Sequence, residues 1–193
     1  MNFGLPNVDR IGVFTSGGID STILYYLVLK KCLENKSNTK IFPIVIMRKE
    51  GSRHFAKPVI TKINQLLNVN TTILRLGDTT LPESQQVSSA VTQAFALPPY
   101  MNFVYVGVIN NLQEHLIGFD KIVLPDYQHI QFPFKDLYKY EVIDLYYKFG
   151  VESLLQHTHS CDISEIKPCG TCNGCRERSW GFKKLNKTDP INL

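Results

Sequence analysis

The sequence has no long hydrophobic run, and this absence excludes the first class of protein. No apolar stretch approaches the roughly 20 residues that cross a bilayer, so we expect no membrane partner. Residues 1–6 lack the basic and then apolar segments of a secretion signal. The 12 glycines and 10 prolines follow no period and there are no internal repeats, which excludes collagen-like and low-complexity chains. These absences predict a soluble, cytoplasmic globular protein.

Concentrated charge is also scarce. The 193 residues carry a formal net charge of +4, and the densest basic stretch consists of Lys183, Lys184 and Lys187. Such a short stretch is not the basic stripe of a nucleic-acid groove. We therefore expect a solvated surface there and do not favour a nucleic-acid partner, although the composition leaves one open.

Short apolar runs alternate with segments of helical periodicity. The runs cover residues 10–15, 41–47, 71–76 and 121–124. Strands too apolar to have a solvated face predict a parallel sheet with helices on both sides, that is, a doubly wound α/β fold. The apolar positions that mark helices are Ile23, Leu24, Leu27, Val28 and Leu33; Val59, Ile60, Ile63, Leu66 and Leu67; Tyr105, Ile109, Leu112 and Leu116; and Tyr138, Val142, Leu145 and Phe149.

The same pattern predicts the domain organisation and the place of a ligand. We expect an α/β nucleotide-binding domain over residues 1–150 and a cysteine-rich segment packed on it over residues 151–193. Ligands in doubly wound folds bind beyond the carboxyl ends of the strands. The residues to examine therefore follow the ends of the four predicted strands, which are Thr15, Met47, Leu76 and Leu124.

A glycine loop (residues 16–22) follows the first predicted strand and reads Ser16-Gly17-Gly18-Ile19-Asp20-Ser21-Thr22. Glycines permit positive φ and a close ligand, and the first N–H groups of a helix are unsatisfied donors, so the loop predicts a phosphate site. The hydroxyls of Ser16, Ser21 and Thr22 would add donors, and Asp20 is placed to hold magnesium. The loop is neither a Walker A nor a Gly-x-Gly-x-x-Gly sequence. The alternative is a tight turn with Asp20 as an ordinary N-cap.

Four of the five cysteines lie within fifteen residues, at Cys161, Cys169, Cys172 and Cys175. Four thiolates at these spacings predict a closed, tetrahedral, structural zinc site with one ion per chain. An iron–sulfur cluster is the alternative, since the same ligands suit it. Cys32 lies in a helical apolar stripe and is expected in the core.

Two motifs together resemble a known family. The Ser-Gly-Gly-x-Asp-Ser string is similar to the signature of the PP-loop ATP pyrophosphatases, whose fold is adenine nucleotide alpha hydrolase-like. The carboxyl-terminal region resembles that of the 7-cyano-7-deazaguanine synthases of queuosine biosynthesis. The matching residues there are Thr158, Ser160, Cys161, Pro168, Cys169, Gly170, Cys172, Cys175, Arg178 and Phe182. Two further strings resemble the same family, Lys139-Tyr140-Glu141 after Pro133 and Gly51-Ser52-Arg53-His54.

The resemblance implies an ATP-dependent carbon–nitrogen ligase. Such an enzyme adenylates 7-carboxy-7-deazaguanine, and ammonia then converts the activated acid to the amide and the nitrile. The resemblance implies that residues 16–22 and Met47 bind ATP and magnesium. Asp20, Lys139 and Arg53 are the implied catalytic residues. Lys139 and Arg53 would supply the cations that the loop itself lacks. A homodimer is also implied, and Arg178 is expected to order the zinc segment.

The sequence also departs from the family pattern. Glu50 and Ser52 stand where the family has tyrosine and glutamine, Ile109 stands where it has arginine, and only six residues link Asp126 to Pro133. These changes favour an altered acid or acceptor. Two other functions therefore stay open: a diverged enzyme that passes the adenylated acid to an amine on a nucleic acid or protein, and a non-catalytic nucleotide-binding subunit.

Overall fold

The computed structural model describes residues 4–47, 53–81, 83–110, 128–164 and 166–191, with all their side chains except those of residues 53, 54, 83 and 84. Within these ranges, none of the helices combines the length and the continuous apolar character that crossing a bilayer demands.

The described elements alternate between strand and helix through the first two thirds of the chain. In order they are β1 (Arg10–Phe14), α1 (Ile19–Glu34), β2 (Lys40–Ile46), α2 (Arg53–Leu67), β3 (Leu74–Leu76), α3 (Glu83–Ala96), β4 (Phe103–Tyr105), β5 (Ile130–Gln131), α4 (Lys139–Lys148), a 3₁₀ helix (Glu152–His157) and α5 (Asn173–Lys184).

The strands form one sheet in the order β3-β2-β1-β4-β5, and every neighbouring pair is parallel. Ile11 of β1 is in register with Ile41 of β2 on one side and with Phe103 of β4 on the other. The order reverses at β1, because β2 and β3 lie on one side of it and β4 and β5 on the other. The predicted doubly wound parallel sheet is confirmed, and the gap beyond the ends of β1 and β4 is the switch point where ligands of such sheets bind.

Two hydrophobic cores cover the two faces of the sheet. Alternating side chains of β1 point to opposite faces, so Ile11 and Val13 enter one core and Phe14 enters the other. The larger core joins β1 to α1, α2, α4 and the 3₁₀ helix, whereas the smaller one joins the sheet to α3. The side chains that α3 contributes are Ala90, Val91 and Ala94.

Two parts of the predicted element pattern differ from the structure. The helical stripe that began at Tyr105 was wrong in its described part, since Tyr105 ends strand β4 and Ile109 lies in a segment without regular secondary structure. Both side chains are buried in the larger core. The stripe based on Tyr138 was slightly misplaced, because Tyr138 precedes α4 and Phe149 follows it. Leu112, Leu116 and the strand predicted over residues 121–124 lie outside the described residues.

The carboxyl-terminal residues share the core of the sheet domain. Leu154 and Leu155 of the 3₁₀ helix and Phe182 of α5 belong to the larger core. Gly181 brings α5 close to α4, because a Cβ there would lie 2.7 Å from Cδ1 of Ile143 and 2.9 Å from Cγ of Lys139. The division near residue 150 stays a prediction, but residues on its two sides pack together.

Candidate active site

The glycine loop lies at the switch point of the sheet. It follows β1 directly, and the backbone N–H of Thr15 still donates to the carbonyl of Ile44 in β2 at 2.8 Å. On the other side the segment after β4 approaches the start of α1, since a Cβ at Gly107 would lie 3.2 Å from the backbone nitrogen of Ser21. The loop is therefore held between the carboxyl ends of β1, β2 and β4.

Gly17 is the position in the loop where a side chain does not fit. Its φ is +89°, a conformation that residues with a Cβ rarely adopt. A Cβ there would lie 2.5 Å from the carbonyl carbon of Phe55 and 2.8 Å from the nitrogen of Ala56. The first glycine of the motif thus lets the first turn of α2 pack directly on the loop.

Two serine hydroxyls order the loop from within. The N–H of Ser16 donates to Oγ of Ser21 at 3.1 Å, and the N–H of Gly18 donates to Oγ of Ser16 at 3.3 Å. The two hydroxyl oxygens are 3.0 Å apart and share a hydrogen bond. Both residues were predicted to offer donors to phosphate, and here they also fix the shape of the loop.

The start of α1 shows whether Asp20 caps this helix. Gly18 is the N-cap, and no side chain caps this end of the helix. Asp20 lies inside the first turn, so the interpretation of Asp20 as an ordinary N-cap was wrong. An uncapped first turn leaves backbone N–H groups at the positive end of the helix dipole, as a phosphate site requires.

Lys139 lies at the loop and is buried. It is the first residue of α4, it is only 5% exposed, and its Nζ lies 2.5 Å from Oδ2 of Asp20. A second carboxylate oxygen, Oε2 of Glu177 in α5, lies 2.9 Å from the same nitrogen. Lys139 is therefore not an exposed helix lysine paired with a neighbour on its own helix.

The electrostatics of this triad favour the charged lysine. Burial acts to lower the pKa of Lys139, but the charges and hydrogen bonds of Asp20 and Glu177 outweigh it, so the pKa lies above its ordinary value. One ammonium between two carboxylates leaves a net charge of −1 beside the loop. Among the described residues, Oδ1 of Asp20 has no hydrogen-bond partner although it is buried.

Sequence reasoning missed two residues of this site. Glu177 lies 38 positions from Lys139 and no local pattern connects them. Tyr146 donates from its hydroxyl to the carbonyl of Ile19 at 2.5 Å and so ties α4 to the start of α1. A signal for Tyr146 was present, because Lys139, Val142, Ile143 and Tyr146 occupy one buried helical face.

The other residues predicted to bind the nucleotide differ in position and in burial. Ile19 and Thr22 are buried under the loop, and Met47 is half-buried at the end of β2, where its N–H donates to the carbonyl of Leu76. Arg53 begins α2, but its side chain lies outside the described residues, as does that of His54. Their predicted contacts with a nucleotide stay predictions.

The four clustered cysteines come together in space. All four sulfur atoms lie within 4.8 Å of one another. Sγ of Cys161 is 3.9 Å from Sγ of Cys172, and Sγ of Cys169 is 4.0 Å from Sγ of Cys175. The predicted ligand set is thus able to hold a metal ion.

Backbone N–H groups donate to these sulfurs and favour the charged form of Cys169, whereas burial raises the pKa of the Cys172 and Cys175 thiols. Ser164 and Cys169 donate to Sγ of Cys161 at 3.2 and 3.4 Å, and Cys172 donates to Sγ of Cys169 at 3.3 Å. Hydrogen bonds from Thr171, and then from Cys172, lower the pKa of the Cys169 thiol to about 6. Thiolates are the form that binds metal.

Arg178 fastens the cysteine region to the rest of the chain and is fully buried. It donates to both carboxylate oxygens of Asp189 at 2.7 and 2.8 Å. Its other N–H groups donate to the carbonyl of Leu155 at 3.2 Å and to Oγ1 and the carbonyl of Thr158 at 2.8 and 3.3 Å. All five donors are therefore used within the chain, which agrees with the predicted ordering role.

His159 connects the cysteine region to the glycine loop. Its backbone N–H donates to the carbonyl of Gly17 at 2.9 Å, and its ring stacks on Phe55 with centroids 3.7 Å apart. Nε2 of the same ring lies 2.7 Å from the carbonyl oxygen of Ser164. One residue thus contacts the loop, the start of α2 and the backbone beside the cysteines.

Comparison with protein families gives one match in this region. The model described as queuosine biosynthesis protein QueC matches residues 113–186, which include Lys139, Glu177, Arg178 and the four cysteines.

Comparison with individual proteins extends the match to the loop. The 7-cyano-7-deazaguanine synthase of Caldicellulosiruptor saccharolyticus is 25% identical over an alignment that covers 94% of both chains. The chain is thus similar to the QueC proteins and has diverged from them. The protein of the same name from Campylobacter hominis is 28% identical over 66% of each chain. The predicted resemblance is confirmed, and so is the prediction of an ATP-dependent enzyme of the PP-loop type.

The solved structures include one with a similar fold. It is the U34-tRNA thiolase NcsA from Methanococcus maripaludis with its [4Fe-4S] cluster, at a TM-score of 0.55 and 14% identity, over 95% of this chain and 75% of that one. The similarity supports the fold of this QueC-like chain.

Proposed function

We propose that this QueC-like chain uses ATP to adenylate a 7-carboxy-7-deazaguanine-like acid and that ammonia then attacks the activated carbon. The observation that carries the proposal is the uncapped start of α1 at the switch point, with Gly17, Asp20 and the buried Lys139 around it. Relatives named 7-cyano-7-deazaguanine synthase support the choice of acid.

The reaction follows from what the site can stabilise. A carboxylate oxygen of the acid attacks the α-phosphorus of ATP, and the bond to the bridging oxygen breaks to release pyrophosphate. The uncapped N–H groups at the start of α1 would stabilise that leaving charge. The lone pair of ammonia then attacks the acyl carbon, AMP leaves with the bonding pair, and a proton is lost to give the amide. A second ATP then adenylates the amide oxygen and releases pyrophosphate, and loss of AMP and of the two remaining nitrogen protons gives the nitrile.

Magnesium fits the residues of the loop. Oδ1 of Asp20 is buried and has no partner among the described residues, and a carboxylate oxygen is a ligand that magnesium prefers. When bound, the ion would neutralise phosphate charge. This neutralisation is needed because Asp20, Lys139 and Glu177 together carry −1.

The assay combines the purified chain with ATP, magnesium, ammonia and 7-carboxy-7-deazaguanine. We expect AMP, pyrophosphate and then amide or nitrile. Gly17→Ala should abolish turnover, whereas Glu34→Gln, which changes an exposed pair with Lys30, should not affect it. Nucleotide binding without any AMP release would refute catalysis and leave a binding subunit.

One observation favours a second candidate, in which the adenylated acid passes to an amine on a nucleic acid or protein. Ile109, at the position of the family's arginine, is buried in the larger core. This position therefore supplies no cation to the site, whereas an unchanged family pocket would have the arginine there. AMP release that depends on a macromolecular amine and not on ammonia would support this second function.

For the cysteine cluster we propose one structural zinc ion. Four sulfurs bound at about 2.3 Å to one tetrahedral ion lie roughly 3.8 Å apart. The two sulfur pairs Cys161–Cys172 and Cys169–Cys175, at 3.9 and 4.0 Å, approach that spacing. A four-iron cluster binds each thiolate on a different iron and needs a wider set. These distances support zinc over an iron–sulfur cluster such as the one that the tRNA thiolase carries.

Metal analysis after anaerobic purification tests this proposal. We expect close to one zinc per chain and no visible absorption. Iron with acid-labile sulfide and a broad band near 400 nm would contradict it and assign the cluster instead.

A further inference from the structure

Glu177 is the one member of the buried triad that neither the motifs nor the family resemblance brought to attention. It lies in α5, two positions after Cys175, and its Oε2 is 2.9 Å from Nζ of Lys139. Its side chain is 15% exposed, so the contact lies inside the protein and not on its surface. A carboxylate that is largely shielded from solvent beside a site for polyphosphate is unfavourable unless it has a specific role.

The charge balance shows what that role is. Lys139 alone with Asp20 would form a neutral pair, and its three N–H donors would be free to bridge both oxygens of Asp20. Glu177 holds one of those donors, because its Oε2 is 2.9 Å from the same nitrogen. The distances fit this division, with Oδ2 of Asp20 in contact with Nζ and Oδ1 without a partner in the described part of the chain.

We infer that Glu177 is a positioning residue that holds the Lys139 ammonium on one oxygen of Asp20 and so keeps the other oxygen available to magnesium. The inference rests on the proposed ATP chemistry and goes beyond it by assigning the residue that sets the magnesium requirement. Glu177 contacts Lys139 and acts through it.

The packing of α5 makes this positioning firm. Cys172 is the N-cap of α5 and Cys175 lies in its first turn, so the cysteine cluster fixes the start of the helix that carries Glu177. One turn further on, Gly181 lets α5 approach Lys139 itself. The carboxylate is therefore supplied by a helix held at both ends of its contact with α4.

The experiment measures binding of α,β-methylene-ATP to the full chain by calorimetry, at magnesium concentrations from zero, with EDTA, to saturation. Glu177→Gln keeps the size of the side chain and removes its charge. We expect it to raise the magnesium concentration for half-maximal binding by about fivefold or more, the lower end of coupling within one ion-pair network. Binding without magnesium should tighten, because the site beside the phosphates loses one negative charge.

Two further variants separate positioning from folding. Glu177→Asp keeps the charge and should stay within about twofold of the wild-type magnesium dependence. Glu34→Gln makes the same chemical change at an exposed pair and should match the wild type. If Glu177→Gln fails to fold, Glu177→Asp decides: a magnesium dependence raised fivefold or more despite its retained charge would overturn the inference.

Other results are equally decisive. Wild-type magnesium dependence in Glu177→Gln would overturn the inference and leave the proposed function intact, as would an equal loss of affinity at every magnesium concentration, which is the result of a merely structural role. A wild-type chain that binds no nucleotide at all would overturn both.

Discussion

Replacing Lys139 by methionine tests the central ion-pair arrangement. Methionine keeps most of the length and removes the charge, so Asp20 and Glu177 are left as two like charges that are 20% and 15% exposed. Each pair has a gross attraction of about 6 kcal/mol at an effective dielectric constant near 20, much of it offset by desolvation. Removing one partner of a buried pair costs about 3–5 kcal/mol net. That is a large part of a typical stability of about 5–15 kcal/mol.

Urea unfolding followed by the fluorescence of Trp180 measures this loss. Trp180 is the only tryptophan of the chain and its ring contacts Tyr140 at the start of α4, so it reports on the region that is changed. A loss of 3–5 kcal/mol corresponds to a fall in melting temperature of roughly 6–20 °C for a chain of this size. The matched control is Lys148→Met on the same helix, where an exposed pair with Asp144 is lost and no measurable change is expected.

Two results would refute the reasoning. A loss below about 1 kcal/mol is what an exposed salt bridge gives, and it would mean that the triad is hydrated. A Lys139→Met variant that is not rescued by the added change Glu177→Gln would also contradict it. That second change removes one of the two orphaned charges and should recover part of the stability.

The remaining predictions concern the loop and the cysteine region. Gly17→Ala should eliminate nucleotide binding in calorimetry while the metal content stays unchanged, because its Cβ overlaps the first turn of α2; normal binding would refute the phosphate role of the loop. Arg178→Leu should cost about 3–5 kcal/mol in urea unfolding, because its buried acidic partner loses its cation; a neutral effect would mean that the pair is replaceable. The double variant Cys169→Ser, Cys172→Ser should lose its zinc in elemental analysis, whereas Cys32→Ser, outside the cluster, should retain it.

Local patterns predicted the elements that have long apolar runs. Strands β1 and β2 and helices α1 and α2 follow directly from such runs and from helical spacing. The run over residues 71–76 also contained the short strand β3, but β4 and β5 could not be found in this way. Strand β5 has two residues and β4 has three, so neither shows a period, and their place in the sheet comes from pairing with β1 and with each other. Helix α3 was missed because two of the three apolar side chains that it buries are alanines.

The residues of the site also fall into those that local sequence could predict and those that it could not. The glycine loop and the four cysteines are each local in sequence. Their close spacing was therefore enough to predict a phosphate site and a metal site. The triad is not local, since Asp20, Lys139 and Glu177 come from three helices that only the packing of α1, α4 and α5 brings together. The burial of Lys139 was visible in principle, because it shares a helical face with Val142 and Tyr146, but its second partner had no signal in the sequence.

The contacts between the cysteine region and the loop change what loss of the metal should do. A purely structural ion on a separate appendage would protect solubility and leave nucleotide binding alone. Here His159 bonds to the carbonyl of Gly17, and Glu177 bonds to Lys139 from a helix whose first turn contains Cys175. Metal loss frees both of these contacts at once, because both residues belong to the segment that the sulfurs hold. The magnesium dependence of nucleotide binding should therefore shift in zinc-depleted protein even while α1 and the sheet remain folded, and an unshifted dependence would show that α5 keeps its place without the metal.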